Sequence, residues 1–262
     1  MKTSLIITTY NWTSALDVVL RTVLHQTTLP DEVIIADDGS ALMTRELIVD
    51  WAQRLGCPLI HIWQADTNFR AARARNLAIL KAFGDHLIFI DGDCLLPPHF
   101  IKNHRRMITP GSIISGGRLL LTKEQSETVL ADPNPCGDKL KIFSGFKHID
   151  LSWVPFRGLF PLSWRAVRTC NVAALKKDVL AVRGFDEAYT GWGKEDSDLA
   201  VRMKNFGFKM VSGRFGACVS HLFHKQQSRG ALQTNEAALA EVIGRSSSKP
   251  GKSCLRSIHY EG

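Results

Sequence analysis

The stretch Leu87-Ile88-Phe89-Ile90-Asp91-Gly92-Asp93 sets an unbroken apolar run against two carboxylates that flank a glycine. A run with no polar alternation reads as a strand buried on both faces, and it aims the acids at whatever lies beyond its carboxyl end. Upstream the same grammar repeats. Leu5 to Thr8, Val33-Ile34-Ile35-Ala36 and Leu59 to Trp63 are further apolar runs, the second closed by the turn residues Asp37-Asp38-Gly39-Ser40. Between them, Leu16, Val19, Leu20, Val23 and Leu24 recur at helical spacing, with Thr13 or Ser14 placed to cap, and Leu47, Ile48, Trp51 and Leu55 mark a second helix stopped by Gly56. A third helix is predicted from about Ala71 to Phe83, ended by Gly84. Apolar strands alternating with helices define an α/β fold with a mostly parallel central sheet flanked by helices. Ligands of such sheets collect at the carboxyl ends of the strands, where Thr8-Thr9-Tyr10, Asp37-Asp38 and Asp91-Gly92-Asp93 all fall.

Downstream the pattern loosens. Ile113 to Leu121 reads as a strand broken at Gly116-Gly117, and residues 122–170 as a long loop region able to cover a site. Helical spacing returns at Leu199, Ala200, Met203 and Phe206 and ends at Gly207. Beyond Gln226 comes one Ala-rich helical stretch and then a flexible end through Ser246-Ser247-Ser248-Lys249-Pro250-Gly251-Lys252. This divides the chain into a main domain over 1–225, with a regular half (1–110) and a less regular half (111–225), and a tail over 226–262.

The 262 residues suffice for a sizeable core without staples, and no apolar run approaches the roughly 18 residues of a membrane span. The Met1-to-Ile7 segment lacks the features of a signal peptide and reads as the first strand. Six cysteines, Cys57, Cys94, Cys136, Cys170, Cys218 and Cys254, stand apart with no finger spacing, which points to free thiols in a reducing cytoplasmic setting. The net charge of +8 suits an anionic partner. Aromatics are not interleaved with the basic residues, so nucleic acid ranks below a phosphorylated substrate or peripheral contact with an anionic membrane.

Two acids at a strand end can present oxygens to a hard divalent cation that bridges substrate phosphates, although the tripeptide alone would also serve as a polar turn. Asp38 can accept the imide N–H of a uracil ring, with Thr8 and Tyr10 beside it for polar and stacking contacts. In Asn68-Phe69-Arg70-Ala71-Ala72-Arg73, Arg70 or Arg73 can supply a fork for a diphosphate, or simply form a solvated basic face. Gly191-Trp192-Gly193-Lys194-Glu195-Asp196-Ser197-Asp198 gathers acids at a helix start, where the dipole favours them. Its Gly-Trp-Gly prefix adds a hinge and an aromatic platform for a sugar ring. His221 and His224 follow a strand-like segment; either can be an ordinary buried histidine, and His221 can complete a metal sphere begun by Asp93.

Taken in order, these pieces resemble the family 2 glycosyltransferases, inverting enzymes with the A-type nucleotide-sugar fold. The matching segments are Ile6-Ile7-Thr8-Thr9-Tyr10-Asn11, Ala36-Asp37-Asp38-Gly39-Ser40, Ala74-Arg75-Asn76 and Ile90-Asp91-Gly92-Asp93. Gly184-Phe185-Asp186-Glu187 followed by Gly191-Trp192-Gly193-Lys194-Glu195-Asp196 is similar to the C-terminal half of the β-1,4-galactosyltransferases and bacterial chondroitin polymerases, so the resemblance spans roughly residues 3 to 225. It implies a single A-type domain with a nucleotide-binding half (1–110) and an acceptor-binding and catalytic half (111–225), a Mn²⁺ or Mg²⁺ cofactor, a UDP-sugar donor and a saccharide or lipid-linked saccharide acceptor. By the same resemblance Asp38 meets the uracil, and Thr8, Tyr10 and Phe69 line the nucleoside pocket. Asp91 faces ribose and metal, Asp93 binds the metal, His221 is its distal ligand, Glu195 holds the acceptor, and Asp196 is the general base. Cys218 stands where the galactosyltransferases place a metal-ligating methionine, and Lys194 where their acidic motif has glycine. A sugar nucleotidyltransferase would carry a Gly-rich N-terminal loop, whereas Thr8-Thr9-Tyr10-Asn11-Trp12 has none; a non-catalytic binding partner would not require Asp93, Asp196 and His221 together. The expected setting is bacterial capsule, O-antigen or lipooligosaccharide assembly at the inner membrane face.

Overall fold

The computed structural model describes residues 1–132, 162–214, 216–225, 229–244 and 254–255. The first half alternates β1 (Thr3–Thr9), α1 (Thr13–Leu24), β2 (Glu32–Asp37), α2 (Leu42–Arg54), β3 (Leu59–Trp63), α3 (Ala71–Lys81) and β4 (His86–Asp91). Then come β5 (Cys94–Leu95), α4 (Phe100–Met107), β6 (Ser112–Ser115), β7 (Gly117–Leu120), α5 (Lys123–Leu130) and a 3₁₀ turn (Trp164–Ala166). Next are β8 (Asn171–Leu175), α6 (Lys176–Ala181), α7 (Glu195–Asn205), β9 (Lys209–Ser212), β10 (Cys218–His221) and α8 (Leu232–Gly244).

Seven strands form one sheet in the order β3-β2-β1-β4-β8-β6-β9, in which β8 alone runs against its neighbours. The parallel part is in register at its carboxyl ends, with Thr9 opposite Asp37 and Thr8 opposite Asp91. Strand residues alternate between two cores. Leu5, Ile7, Ile35 and Ile90 pack with Leu16, Trp51 and Phe100 on one face. Ile6, Ile34 and Phe89 pack with Ile79, Phe185 and Met203 on the other. Polar residues such as Ser4, Glu32 and His86 sit at the strand starts; because both faces are covered, Leu5 to Ile7, Val33 to Ala36 and Leu87 to Ile90 are all apolar. Burying each such side chain contributes about 1.5–3 kcal/mol.

A three-stranded sheet, β5-β10-β7, stands beside the first. The segment predicted as one broken strand is therefore two strands in two sheets. Gly116 lies at the crossover, where a Cβ would sit 2.1 Å from Asn171 Nδ2 and 2.3 Å from the Ala217 carbonyl oxygen. Asn171 holds the crossover together by donating to the carbonyls of Gly117 (2.9 Å) and Ala217 (2.7 Å).

Three local expectations are corrected. Trp12, not Thr13 or Ser14, occupies the α1 cap position, and no side chain caps it; α2 ends at Arg54, before Gly56. The 122–170 segment is not wholly irregular, since Thr122 and Gln125 form a reciprocal capping box that starts α5. The rest of that covering loop, over 133–161, lies outside the described residues, as do Cys136 and 246–252. Among the described residues, no cysteine forms a disulfide and no helix is long and apolar enough to cross a membrane.

Candidate active site

The carboxyl ends of β1, β2 and β4 open into a cavity of about 780 Å³. Thr8, Tyr10, Asp38, Phe69, Asp91, Asp93, Trp192, Glu195, Asp196 and His221 all line it. Arg70 and Arg73 do not. The Arg70 guanidinium donates to the Ala65 carbonyl at 2.8 Å, and Arg73 faces Glu187 at 3.5 Å.

On one side, Asp38 is buried and its two oxygens accept from Gln64 Nε2 (2.5 Å) and the Arg70 backbone N–H (2.7 Å). Burial raises its pKa, and the two hydrogen bonds only partly oppose this. Each carboxylate oxygen retains acceptor capacity for a further donor. Tyr10 is exposed above it and donates its hydroxyl to Asp66 at 2.9 Å. Asp37, its neighbour, serves the turn instead, accepting from the Ser40 backbone and meeting His61 at 2.8 Å. Gly39 has φ +98°, and a Cβ there would come within 2.6 Å of the Asp66 backbone.

In the centre stands Arg75, which the sequence reading quoted within Ala74-Arg75-Asn76 but gave no role. It donates to Thr8 Oγ1 at 3.0 Å, and it pairs with Asp91 Oδ1 at 3.1 Å and Glu195 Oε1 at 3.2 Å. One guanidinium thus ties β1, β4 and the start of α7 together. The available signal was its helical setting: Ala71 and Ala78, four residues before and three after, are buried and small, which leaves room for a long side chain on the inner face.

Opposite lies a carboxylate–imidazole cluster. β5 and β10 pair with His221 opposite Cys94, which brings His221 Nε2 to 3.0 Å from Asp93 Oδ1. His224 Nε2 stands 3.5 Å from the other oxygen, Oδ2. Candidate ligand atoms of Asp93, Cys94 and His221 lie within 4.8 Å of one another. Burial disfavours a charged His221, but its hydrogen bond and Coulombic attraction to Asp93 prevail and raise its pKa. A carboxylate with imidazoles on both oxygens is a donor set that a divalent cation fits. Asp91 stands outside this close cluster, turned to Arg75, and Cys218 does not line the cavity whereas His224 does.

Glu195 and Asp196 open α7. Glu195 is buried, and its pKa is raised by burial and by Asp196, against the pull of Arg75. Asp196 stands at the cavity wall, its Oδ1 accepting from the Ser197 backbone N–H (2.6 Å) and hydroxyl (3.2 Å).

A mostly parallel sheet flanked by helices, with Asp38, the Asp93–His221 cluster and the Glu195–Asp196 pair gathered in one cavity at its strand ends, is the architecture of the A-type nucleotide-sugar transferase fold. The chain belongs to glycosyltransferase family 2: residues 4–157 match the family model described as Glycosyl transferase family 2. Residues 158–225 match a second model, described as the N-terminal domain of galactosyltransferase. The validoxylamine A glucosyltransferase of Streptomyces hygroscopicus subsp. limoneus is 29% identical over 226 residues, which cover 80% of this chain and 49% of that protein. The chondroitin synthase of Escherichia coli is 23% identical over 264 residues, covering 90% of this chain and 36% of that protein. The chain thus spans about half, or less, of the length of these curated relatives. Among solved structures, a mannosyltransferase from Pyrobaculum calidifontis in complex with GDP-Man and Mn²⁺ superposes with a TM-score of 0.65 at 17% identity, covering 96% of this chain and 65% of that one. GalNAc-T7 with UDP, GalNAc and Mn²⁺ gives 0.66 at 14% identity, covering 92% and 48%. At these identities the likeness concerns the fold.

Proposed function

We propose that this transferase moves a hexose or N-acetylhexosamine from a UDP-sugar to a saccharide hydroxyl, with inversion at the anomeric carbon. The observation that carries the reading is the presence of two sites in one cavity, the Asp93–His221 pair at 3.0 Å and the Glu195–Asp196 pair, with Arg75 tying Glu195 to Asp91. Asp93 and His221 are the residues that would hold a divalent cation, with His224 in reach. Such a cation, Mn²⁺ or Mg²⁺, offsets the charge that builds on a departing diphosphate.

The remaining roles follow from the chain's own groups. Asp38 accepts from the base while Tyr10 and Phe69 flank the nucleoside. Arg75, already committed to Asp91 and Glu195, fixes both acids so that they need not reorganise during reaction. Asp196, at the wall, takes the proton of the acceptor hydroxyl as that oxygen attacks the anomeric carbon from the face opposite the leaving group. Glu195 and Trp192 hold the acceptor ring, and an α-linked donor then yields a β-linked product. Assembly of a bacterial surface polysaccharide or lipooligosaccharide at the cytoplasmic membrane face is the setting we assign. It is supported by the chondroitin synthase relative and by the +8 charge.

The test mixes the protein with a panel of UDP-sugars, Mn²⁺ and candidate saccharides and follows UDP release. Release that needs both a sugar acceptor and the cation is expected. Undiminished transfer in excess EDTA would remove the metal assignment, and the absence of turnover with every donor would remove the transferase reading. Asp93→Ala should weaken UDP binding only when Mn²⁺ is present.

A further inference from the structure

The loop that carries Trp192 has an unusual backbone. Gly191, Gly193 and Lys194 all adopt positive φ, at +71°, +103° and +81°. Glycine accepts this region readily, but Lys194 has a Cβ and does not. A disfavoured conformation of this kind persists where its surroundings over-determine it. One restraint comes from the nucleotide side, where the Phe69 carbonyl accepts from the Gly191 backbone N–H at 2.9 Å.

The others come from α8 and the residues that lead into it, beyond residue 225 where the second family match ends. Asn235 is buried, and its Nδ2 donates to the carbonyls of Thr190 (3.1 Å) and Gly193 (2.9 Å), bracketing Trp192. Lys194 Nζ pairs with Glu236 at 3.0 Å; with the glutamate side chain half exposed, such a pair holds little. Ala231 fills the space beside Gly191, where a Cβ would stand 2.7 Å from the alanine methyl. Leu232 and Arg229 line the cavity itself, with the Arg229 guanidinium 5.6 Å from the centre of the Trp192 ring. The helix is seated through Leu239 and Val242 on Val201 of α7.

Resting on the acceptor assignment above, we infer that Asn235 is a positioning residue for the acceptor. From a helix outside both family matches, it fixes the 190–194 backbone and with it Trp192 and the first turn of α7. A segment that reads as a tail in the sequence is thereby the outer wall of the acceptor site.

The test compares the full-length wild type with Asn235→Asp, which keeps the shape but loses both donated hydrogen bonds, and with Asn235→Ala. Amide exchange over 190–196 should quicken about tenfold to a hundredfold in both variants, because buried hydrogen bonds hold that backbone closed. Exchange in β1 to β4 and the calorimetric affinity for UDP with Mn²⁺ should stay at wild-type values. With the saccharide that serves the wild type, acceptor KM should rise about tenfold while donor KM holds, a split that loss of uniform acceptor binding produces. Wild-type exchange over 190–196 in Asn235→Asp would overturn the clamp. Faster exchange with an unchanged acceptor KM would overturn its role in positioning. If the wild type turned over no UDP-sugar, the transferase reading would fall, and the exchange rates would still decide the clamp.

Discussion

Glu195 and Asp196 are chain neighbours in different surroundings, the first buried against Arg75 and the second at the cavity wall with its Ser197 contacts. Successive helical side chains diverge by about 100°, so the two acids cannot share one task. Asp196→Asn keeps shape and removes basicity. Turnover should fall about 10²- to 10⁴-fold with UDP affinity intact, measured by UDP release beside calorimetry. Activity within a few-fold of wild type would move the base elsewhere. At this scale the residue types were legible in the sequence, because the acids follow apolar strands that aim them at one end of the sheet or stand at a helix start beside Gly-Trp-Gly. The pairing of Arg75 was not, since its three partners lie 67, 16 and 120 positions away along the chain.

Among the elements, β1, β2 and β4 were readable because burial on both faces leaves an apolar run, whereas β3 is a half-exposed edge strand that carries His61. The smaller sheet was not. β5 has two residues, too few for any periodicity, and its partner β10 lies more than a hundred positions downstream. Yet this sheet sets His221 beside Asp93. Its crossover at Gly116 should be intolerant of side chains: Gly116→Ala forces a methyl against Asn171 and the Ala217 carbonyl, one of them backbone that cannot swing aside. Overpacking of this kind costs about 1–3 kcal/mol, and thermal unfolding should move down by several degrees. An unchanged Tm would show that the crossover relaxes freely.

For the whole molecule, two buried histidines, His86 at the start of β4 and His104 on α4, make stability depend on pH. Burial lowers His86 from its ordinary value of 6.5 to about 3, aided by His104 and Arg105. Burial lowers His104 to about 4, although its hydrogen bond with Asn171 opposes this. The unfolded chain takes up these protons near 6.5 and the folded chain does not, so stability is complete above that pH. It is lost as pH falls towards 4, at about 1.4 kcal/mol per pH unit for each histidine. Because Asn171 spends its amide nitrogen on two carbonyls, its Oδ1 is the acceptor and His104 Nε2 the donor. His104→Gln keeps a donor without titrating, so urea midpoints from pH 7 to 5 should fall less steeply in the variant than in wild type. Parallel slopes would count against a neutral buried His104. The net charge of +8 acts at longer range. Attraction to an anionic surface is screened within about 8 Å at physiological ionic strength, so binding to anionic vesicles should drop steeply with added salt. Salt-insensitive binding, or none, would count against peripheral association.

The sequence alone determined the α/β architecture, the end of the sheet at which chemistry gathers, and the acids and histidines that gather there. These follow from local physics: strand burial writes itself as apolar runs, and polar residues at strand ends have nowhere else to face. Tertiary structure alone decided which charges pair. It turned Arg70 and Arg73 out of the cavity and Arg75 into it, drew Asp91 towards that arginine, and set both histidines on Asp93. It also made α8 a wall of the site, through an asparagine whose two hydrogen bonds reach 45 and 42 positions back. Contacts of that separation leave no periodic trace, because their partners are selected by the packing of whole elements.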